Sequence, residues 1–167
     1  MAGALIVTAE IAQGDFSWLE GLRRAHYPPE RNHVPAHLTI FHALPPSVEG
    51  ELRGRLGRIV RRHPPAASLA GLMDLSGGVA FRVVSPDLDA VRDELADGLH
   101  GMLGAQDSGG WRPHITIQNK VSPKVARALK EQLERTFQPR PLAIGALAIN
   151  RYLGGPWERL AAYPFRP

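Results

Sequence analysis

The chain has 167 residues, a length that corresponds to one domain able to bury roughly two-thirds of its unfolded surface. It contains no cysteine, which excludes disulfide frameworks, thiolate zinc sites and thiol redox chemistry. The net charge of +4 would attract an anionic partner without identifying one, and no apolar run is long enough to span a bilayer. We therefore expect a cytoplasmic protein that does not bind membranes.

Hydrophobic periodicity predicts an alternation of strands and helices along the chain. The first apolar run carries an acidic residue and lacks a basic leader, so it predicts a buried strand rather than a signal peptide. The predicted elements, in chain order, are strand 4–11, helix 15–26, loop 27–36, strand 37–43, helix 47–62, strand 67–76, strand 79–85, helix 87–103, loop 104–111, strand 114–119, helix 123–137, strand 142–153 and strand 157–163.

The two halves of the chain repeat each other at a spacing of 77 positions without a gap. Each half reads strand, helix, strand, Gly-Gly turn and strand, and a period of this length is too long for a solenoid unit. We therefore expect one domain over residues 1–167 that contains two internal repeats, about 1–78 and 79–167, arranged as two lobes around a pseudo-twofold axis. The matching pairs are His37 with His114, Thr39 with Thr116, Ile40 with Ile117, Pro46 with Pro123, Leu52 with Leu129, Leu56 with Leu133, Gly77 with Gly154, Gly78 with Gly155 and Arg82 with Arg159.

The repeat contains a His-x-Thr motif on a strand in each half. Side chains alternate along a strand, so the histidine and threonine share one face while the apolar residues face the core. A pseudo-twofold axis would bring the two polar faces to one cleft. Parity places His37, Thr39 and Phe41 on the first of these faces, and His114, Thr116, Gln118 and Lys120 on the second.

Two imidazoles that face each other across an anion form a general acid and base pair, because histidine titrates near neutrality. The hydroxyls of Thr39 and Thr116 can donate hydrogen bonds to anionic oxygens. Opening a strained cyclic phosphate by water needs little beyond these groups, so the pattern indicates phosphoester chemistry that does not depend on a metal ion or another cofactor.

The segments "HLTI" and "HITI" in a duplicated chain of this size resemble the 2H phosphoesterase superfamily, which includes proteins called 2′-5′ RNA ligase-like or RNA 2′,3′-cyclic phosphodiesterases. The resemblance covers nearly the whole chain. It implies an α+β fold with antiparallel sheets and flanking helices around a central cleft. It also implies that His37 and His114 are catalytic, that Thr39 and Thr116 bind phosphate, and that the substrate is RNA or a nucleotide with a 2′,3′-cyclic phosphate.

Analogy with the family assigns the acid that protonates the leaving oxygen to His37 and the base to His114, although the near-symmetry leaves the order open. Reversible 2′-5′ ligation also stays open. A built-in pseudo-dimer needs no partner subunit, so we expect a monomer.

Four further residues are candidate substrate contacts. Phe41 and Trp111 could stack on a base, as aromatic side chains do in single-stranded RNA recognition, or could simply pack in the core or at the rim. Gln118 and Lys120 follow the second motif on the cleft face by parity. Family members often carry a basic residue soon after this motif, whereas this chain has Lys120 as the nearest cation.

Other interpretations are weaker. Four histidines between His26 and His42 raise the possibility of a zinc site, but His42 would point away from His37 in a regular strand and no acidic partner accompanies them. The arginines of "LRGRLGRIVRR" fit the solvated face of an amphipathic helix, with a nucleic-acid stripe as the alternative. A non-catalytic RNA or nucleotide binder that uses the same cleft is the alternative function.

Overall fold

The computed structural model describes residues 3–166 and has the α+β architecture with antiparallel sheet that the sequence predicts. Two short 3₁₀ turns, Pro29–Arg31 and Pro46–Val48, precede β2 and α2. The other elements are β1 (Leu5–Ile11), α1 (Gln13–His26), β2 (Leu38–Leu44), α2 (Glu49–Ile59), β3 (Ala66–Asp74), β4 (Val79–Val84), α3 (Pro86–Gly98), α4 (Ala105–Ser108), β5 (His114–Gln118), α5 (Pro123–Glu134), β6 (Arg140–Tyr152) and β7 (Trp157–Pro164).

The strands form one open antiparallel sheet in the order β2-β1-β6-β3-β4-β5, and β7 also pairs with β6. The long strand β6 joins two parts of the sheet, since its first residues pair with β3 and its later residues pair with β1 and β7. Strand β1 pairs with the motif strand β2 of its own half and with β6 of the other half. Strand β4 pairs in the same manner with the motif strand β5 and with β3 of the other half. This exchange supports the proposal of two internal repeats.

Similar serine caps start helices α3 and α5. The hydroxyl of Ser85 accepts a hydrogen bond from the N–H of Leu88 at the start of α3, and Ser122 does the same for Val125 at the start of α5. Proline occupies the first helical position in both, where its missing N–H costs no hydrogen bond. The predicted helix 87–103 ends instead at Gly98, in a segment where Gly98 and Gly101 weaken helix propensity.

The apolar faces of both motif strands lie in the core. Leu38 and Ile40 of β2 and Ile115 and Ile117 of β5 are fully buried. Full burial of such a side chain contributes about 1.5–3 kcal/mol, so this face fixes which way each motif strand is turned. The histidine and threonine of each motif therefore remain on the opposite face, partly exposed.

Gly78 permits a close approach beside the second motif strand. A Cβ atom at this position would overlap the backbone carbonyl oxygen of Gln118 at the end of β5. The neighbouring N–H of Val121 also donates to the carbonyl of Gly77. The Gly-Gly turn expected from the repeat thus lies directly against the end of the motif strand.

Candidate active site

The structure brings both motif histidines and both motif threonines to one cavity of about 240 Å³ between β2 and β5. The other residues around it come from the end of β2, from helices α3 and α4 and from the loop before β5. The complete lining consists of His37, Thr39, His42, Arg92, Gln106, Gly110, Trp111, Arg112, His114 and Thr116. Among residues 3–166, no carboxylate lines this cavity, so its electrostatic character is that of an anion site.

Both motif rings are held in the same way. Nδ1 of His37 lies 2.7 Å from the carbonyl oxygen of Pro35, and Nδ1 of His114 lies 2.7 Å from that of Arg112. A carbonyl oxygen only accepts, so each Nδ1 carries the proton and donates it. In the neutral ring Nε2 is then an unprotonated acceptor, ready to take a proton.

The protein around His37 strongly disfavours its charged form. The pKa of His37 is lowered from 6.5 to about 4, mainly by desolvation, although the residue is partly exposed at the surface. Positive charge on Arg23, His114 and His42 contributes to this lowering, and the hydrogen bond to Pro35 opposes it. His37 is therefore neutral at pH 7. Its ring also packs edge-on against Trp157, with 4.6 Å between ring centroids.

A register shift directly after each motif threonine overturns the parity prediction for the next residues. Thr8 pairs with Thr39 but Val7 pairs with Phe41, and in the second strand Ala80 pairs with Thr116 but Val79 with Gln118. One extra residue in a strand exchanges the two faces beyond it. Alternation from the motif therefore fails in both strands at the same place.

Two expected substrate contacts are wrong as a result. Phe41 is fully buried in the core, where the guanidinium of Arg92 lies 4.9 Å from its ring centroid. Gln118 is 4% exposed, and its side-chain Oε1 is buried without a hydrogen-bond partner among residues 3–166. Neither side chain lines the cavity.

The other two expected contacts have different outcomes. Lys120 lies exposed in the turn after β5 with φ of 65°, and it does not line the cavity, because the strand ends at Gln118. Trp111 does line the cavity, and its indole N–H donates to the carbonyl oxygen of Thr39 at 3.2 Å. It therefore joins the loop before β5 to the opposite motif strand.

His42 enters the cavity because of the irregular strand, contrary to the sequence prediction. Its Nδ1 lies 3.2 Å from Oδ1 of Asp107, which is 2% exposed. Burial alone would raise the pKa of Asp107, but hydrogen bonds from the His42 ring and from the N–H groups of His42 and Ala43 outweigh it and lower the pKa. The carboxylate thus holds the end of β2 in place and orients a third histidine at the site.

Each motif strand is also supported by a buried arginine from a helix. Arg23 of α1 donates from Nη1 to the carbonyl oxygen of Thr116 at 2.8 Å, and Arg92 of α3 donates from Nε to that of Ile40 at 3.2 Å. They are 3% and 9% exposed. Such charge-assisted hydrogen bonds fix the motif backbones and place two positive charges behind the phosphate-binding face.

Sequence reasoning missed His42, Asp107, Arg23 and Arg92. The repeat gave no signal for the arginines, since their positions do not differ by the 77 residues that relate the motifs. Within residues 3–166, no group of three or more His, Cys, Asp or Glu side chains is placed to hold a metal ion.

Comparison with known proteins identifies the family. The family model described as "2'-5' RNA ligase superfamily" matches residues 11–156, a span that contains both motifs and every residue lining the cavity. The chain belongs to the 2′-5′ RNA ligase superfamily. This membership confirms the resemblance to the 2H phosphoesterases and indicates an enzyme of the phosphoesterase type. No curated protein sequence matched the chain.

Solved structures of similar proteins share the fold of this superfamily member. E. coli LigT complexed with 3'-AMP is 20% identical, covers 100% of both chains and has a TM-score of 0.65. TT0787 of Thermus thermophilus is 15% identical, covers 98% of both chains and also has a TM-score of 0.65. A protein described as a phosphoesterase is 18% identical over 100% of both chains, with a TM-score of 0.66. At these identities the likeness establishes the fold.

Within residues 3–166, no helix is long and apolar enough to cross a bilayer.

Proposed function

We propose that the protein is a metal-independent phosphodiesterase that hydrolyses 2′,3′-cyclic phosphate ends of RNA or nucleotides with His37 and His114 as its acid and base. One observation carries the proposal: both His-x-Thr motifs, which lie 77 residues apart, line the same cavity. A single such motif would carry little weight. Two that converge, with equivalent hydrogen bonds to both rings, provide the matched donors and acceptors that an in-line displacement at phosphorus requires.

The histidines and threonines of the two motifs each have a part in the proposed reaction. Water attacks phosphorus while the base removes its proton, and the bond from phosphorus to one ribose oxygen breaks as the acid protonates that oxygen. The product is a phosphate monoester next to a free hydroxyl. The hydroxyls of Thr39 and Thr116 donate to the non-bridging oxygens, whose negative charge grows in the transition state.

The environment of His37 favours the role of general base for this residue, whereas analogy with the family makes it the acid. A histidine with a pKa of about 4 is unprotonated at neutral pH, so its Nε2 can accept the proton of the attacking water. His114 then supplies the proton to the leaving oxygen. A bound anionic phosphate would raise the pKa of both rings, which helps the acid to hold its proton before the bond breaks.

The charge around the cavity supports an anionic substrate. Arg92 and Arg112 line it together with three histidines, and no Asp or Glu side chain among the lining residues opposes them. The ligands of a structural relative agree with this chemistry, because E. coli LigT has been crystallised with 3'-AMP, NADP+, ATP and phosphate. These complexes support a nucleotide or an RNA end as the substrate here.

The experiment is turnover of 2′,3′-cyclic mononucleotides and of a short RNA with a 2′,3′-cyclic end, measured in the presence of EDTA. His37→Ala and His114→Ala should each lose about 10³-fold or more in kcat, the size of a general acid or base contribution. His63→Ala and His100→Ala remove exposed histidines outside the cavity and serve as matched controls. Binding without turnover in the wild-type protein would instead favour a non-catalytic binder.

The assignment of roles has a separate test in the pH dependence of kcat/KM, which reports the pKa values of the free enzyme. A base must be unprotonated to act, so on the acidic side of the profile activity should fall only as the pH drops through the pKa of His37. We therefore expect the acidic limb near pH 4. An acidic limb near pH 6.5 would show that the base is a histidine with an ordinary pKa, and would return His37 to the role of acid.

A further inference from the structure

A second pocket, of about 230 Å³, adjoins the active-site cavity and shares His37 and Thr116 with it. We call it the Arg31 pocket. One wall is the loop between α1 and β2, and the other is the turn between β6 and β7. Its further lining includes Arg23, Tyr27, Arg31, His33, Asn119 and Trp157.

The charge of the Arg31 pocket is positive. In the described part of the chain no Asp or Glu side chain lines it, whereas Arg23 and Arg31 both do. The guanidinium of Arg23 is committed to the protein, because it donates to Asn32 Oδ1 and to the carbonyl oxygen of Thr116. Arg31 is exposed, and it makes no ion pair or side-chain hydrogen bond with any residue in the described range 3–166.

The aromatic side chains at the pocket suit the continuation of a nucleotide chain. Trp157 packs on His37 from the side of the pocket, and its ring also borders the neighbouring apolar pocket that contains Phe16 and Val34. Tyr27 covers the guanidinium of Arg23, with 4.4 Å from that carbon to the ring centroid. Aromatic side chains beside a basic groove are the usual means of holding single-stranded nucleic acid.

Resting on the proposed function, we propose that the Arg31 pocket binds the phosphodiester one nucleotide before the cyclic phosphate. Arg31 is its charged contact, and the preferred substrate is an oligonucleotide end rather than a free cyclic mononucleotide. Because the two pockets share His37 and Thr116, a phosphodiester in the Arg31 pocket lies next to the reacting cyclic phosphate. The fixed charge of Arg23 adds to the attraction from behind.

The test compares kcat/KM for three substrates that end in the same 2′,3′-cyclic nucleotide. One is the mononucleotide, one a dinucleotide with a natural phosphodiester, and one the same dinucleotide with a neutral methylphosphonate linkage. We expect the natural dinucleotide to exceed the other two by about tenfold, the factor that one charge-assisted contact of about 1.4 kcal/mol provides. Arg31→Ala should reduce this preference to about twofold or less.

The matched control is Arg24→Ala, which removes another exposed arginine, from α1, that lines neither pocket. It should keep the tenfold preference. Turnover of all three substrates at similar kcat/KM, or equal loss of preference in both arginine variants, would overturn the proposal that the Arg31 pocket binds a phosphodiester. Either result would leave the proposed function intact. Absence of turnover on every substrate would instead overturn the proposed function.

Discussion

The first and second motif strands hold their histidines in the same way but differ in the residues beyond the threonine. In both, Nδ1 of the histidine lies 2.7 Å from the carbonyl oxygen two residues earlier, and a register shift comes after the threonine. In both, a buried arginine donates to the backbone of the strand. These shared features lie around the place proposed for the reacting phosphate, and they fit the two halves of the proposed displacement.

The differences begin at the residue after the shift. The first strand buries Phe41 and continues to His42, which Asp107 anchors. The second buries Gln118 with an unpartnered oxygen and ends in the turn of Lys120. Of the active-site cavity, the apolar pocket and the Arg31 pocket, His37 borders all three, whereas His114 borders the first. The groups proposed for the chemistry are thus nearly symmetric, while the pockets proposed to bind the rest of the substrate are concentrated around the first motif.

The equivalence of the two histidines can be tested most severely by removing both. Each single alanine variant should lose about 10³-fold in kcat, and the His37→Ala/His114→Ala double variant should lose less than about tenfold more, because the two groups act as one unit. Single-turnover rates on a cyclic dinucleotide provide the measurement. Losses that multiply to about 10⁶ would show that the two histidines contribute independently of each other.

The Asp107 anchor at the end of the first motif strand predicts a difference in folding stability between the wild-type protein and a variant that lacks the carboxylate. Asp107→Asn should destabilise the fold by about 2 kcal/mol, since an amide cannot accept from the ring and both backbone N–H groups that the carboxylate serves. Urea denaturation measures this change. Asp97→Asn, an exposed substitution on α3, is the control and should change the free energy of unfolding by less than about 0.5 kcal/mol.

The same variant has an expected pH dependence. Because the pKa of Asp107 is lowered in the folded protein, its stabilising contribution is present above the ordinary value of 3.8 and is lost as the pH falls through the lowered value. The difference between wild type and Asp107→Asn should therefore shrink in acid. A constant difference would mean that the ionised carboxylate is not what stabilises the end of β2.

The buried oxygen that distinguishes Gln118 from Phe41 predicts the smallest effect. Gln118→Met keeps a similar length without the unpartnered Oε1, so it should stabilise the fold by up to about 1 kcal/mol. Thermal and urea unfolding can measure it, with exposed Gln138→Met as the control. Destabilisation by Gln118→Met would show that the oxygen has a partner that the polar groups of the protein do not supply.

The sequence was sufficient to predict the strands, the α+β fold and the residues of the two motifs, because strand alternation and a gapless repeat both depend on local spacing. Parity failed one residue beyond each threonine. The register shifts arise from pairing with Thr8 and Ala80, which are distant in the chain. These shifts explain why strand alternation placed Phe41, Gln118 and His42 on the wrong face of their strands.

The supporting residues could not be predicted for a different reason. Asp107 lies 65 residues from His42, and Arg23 lies 93 residues from Thr116. Nothing in their local segments separates a buried arginine or aspartate from an exposed one on a helix. Their roles follow only from the packing of α1, α3 and α4 against the motif strands.

The most direct measurement of the central claim is a crystal structure of the protein with a bound 2′-nucleotide monophosphate. We expect Nε2 of both His37 and His114, and the hydroxyls of both Thr39 and Thr116, to lie within about 3 Å of the oxygens of one phosphate group. A phosphate that contacts only one of the two histidines, or that binds outside the cavity they share, would contradict this claim.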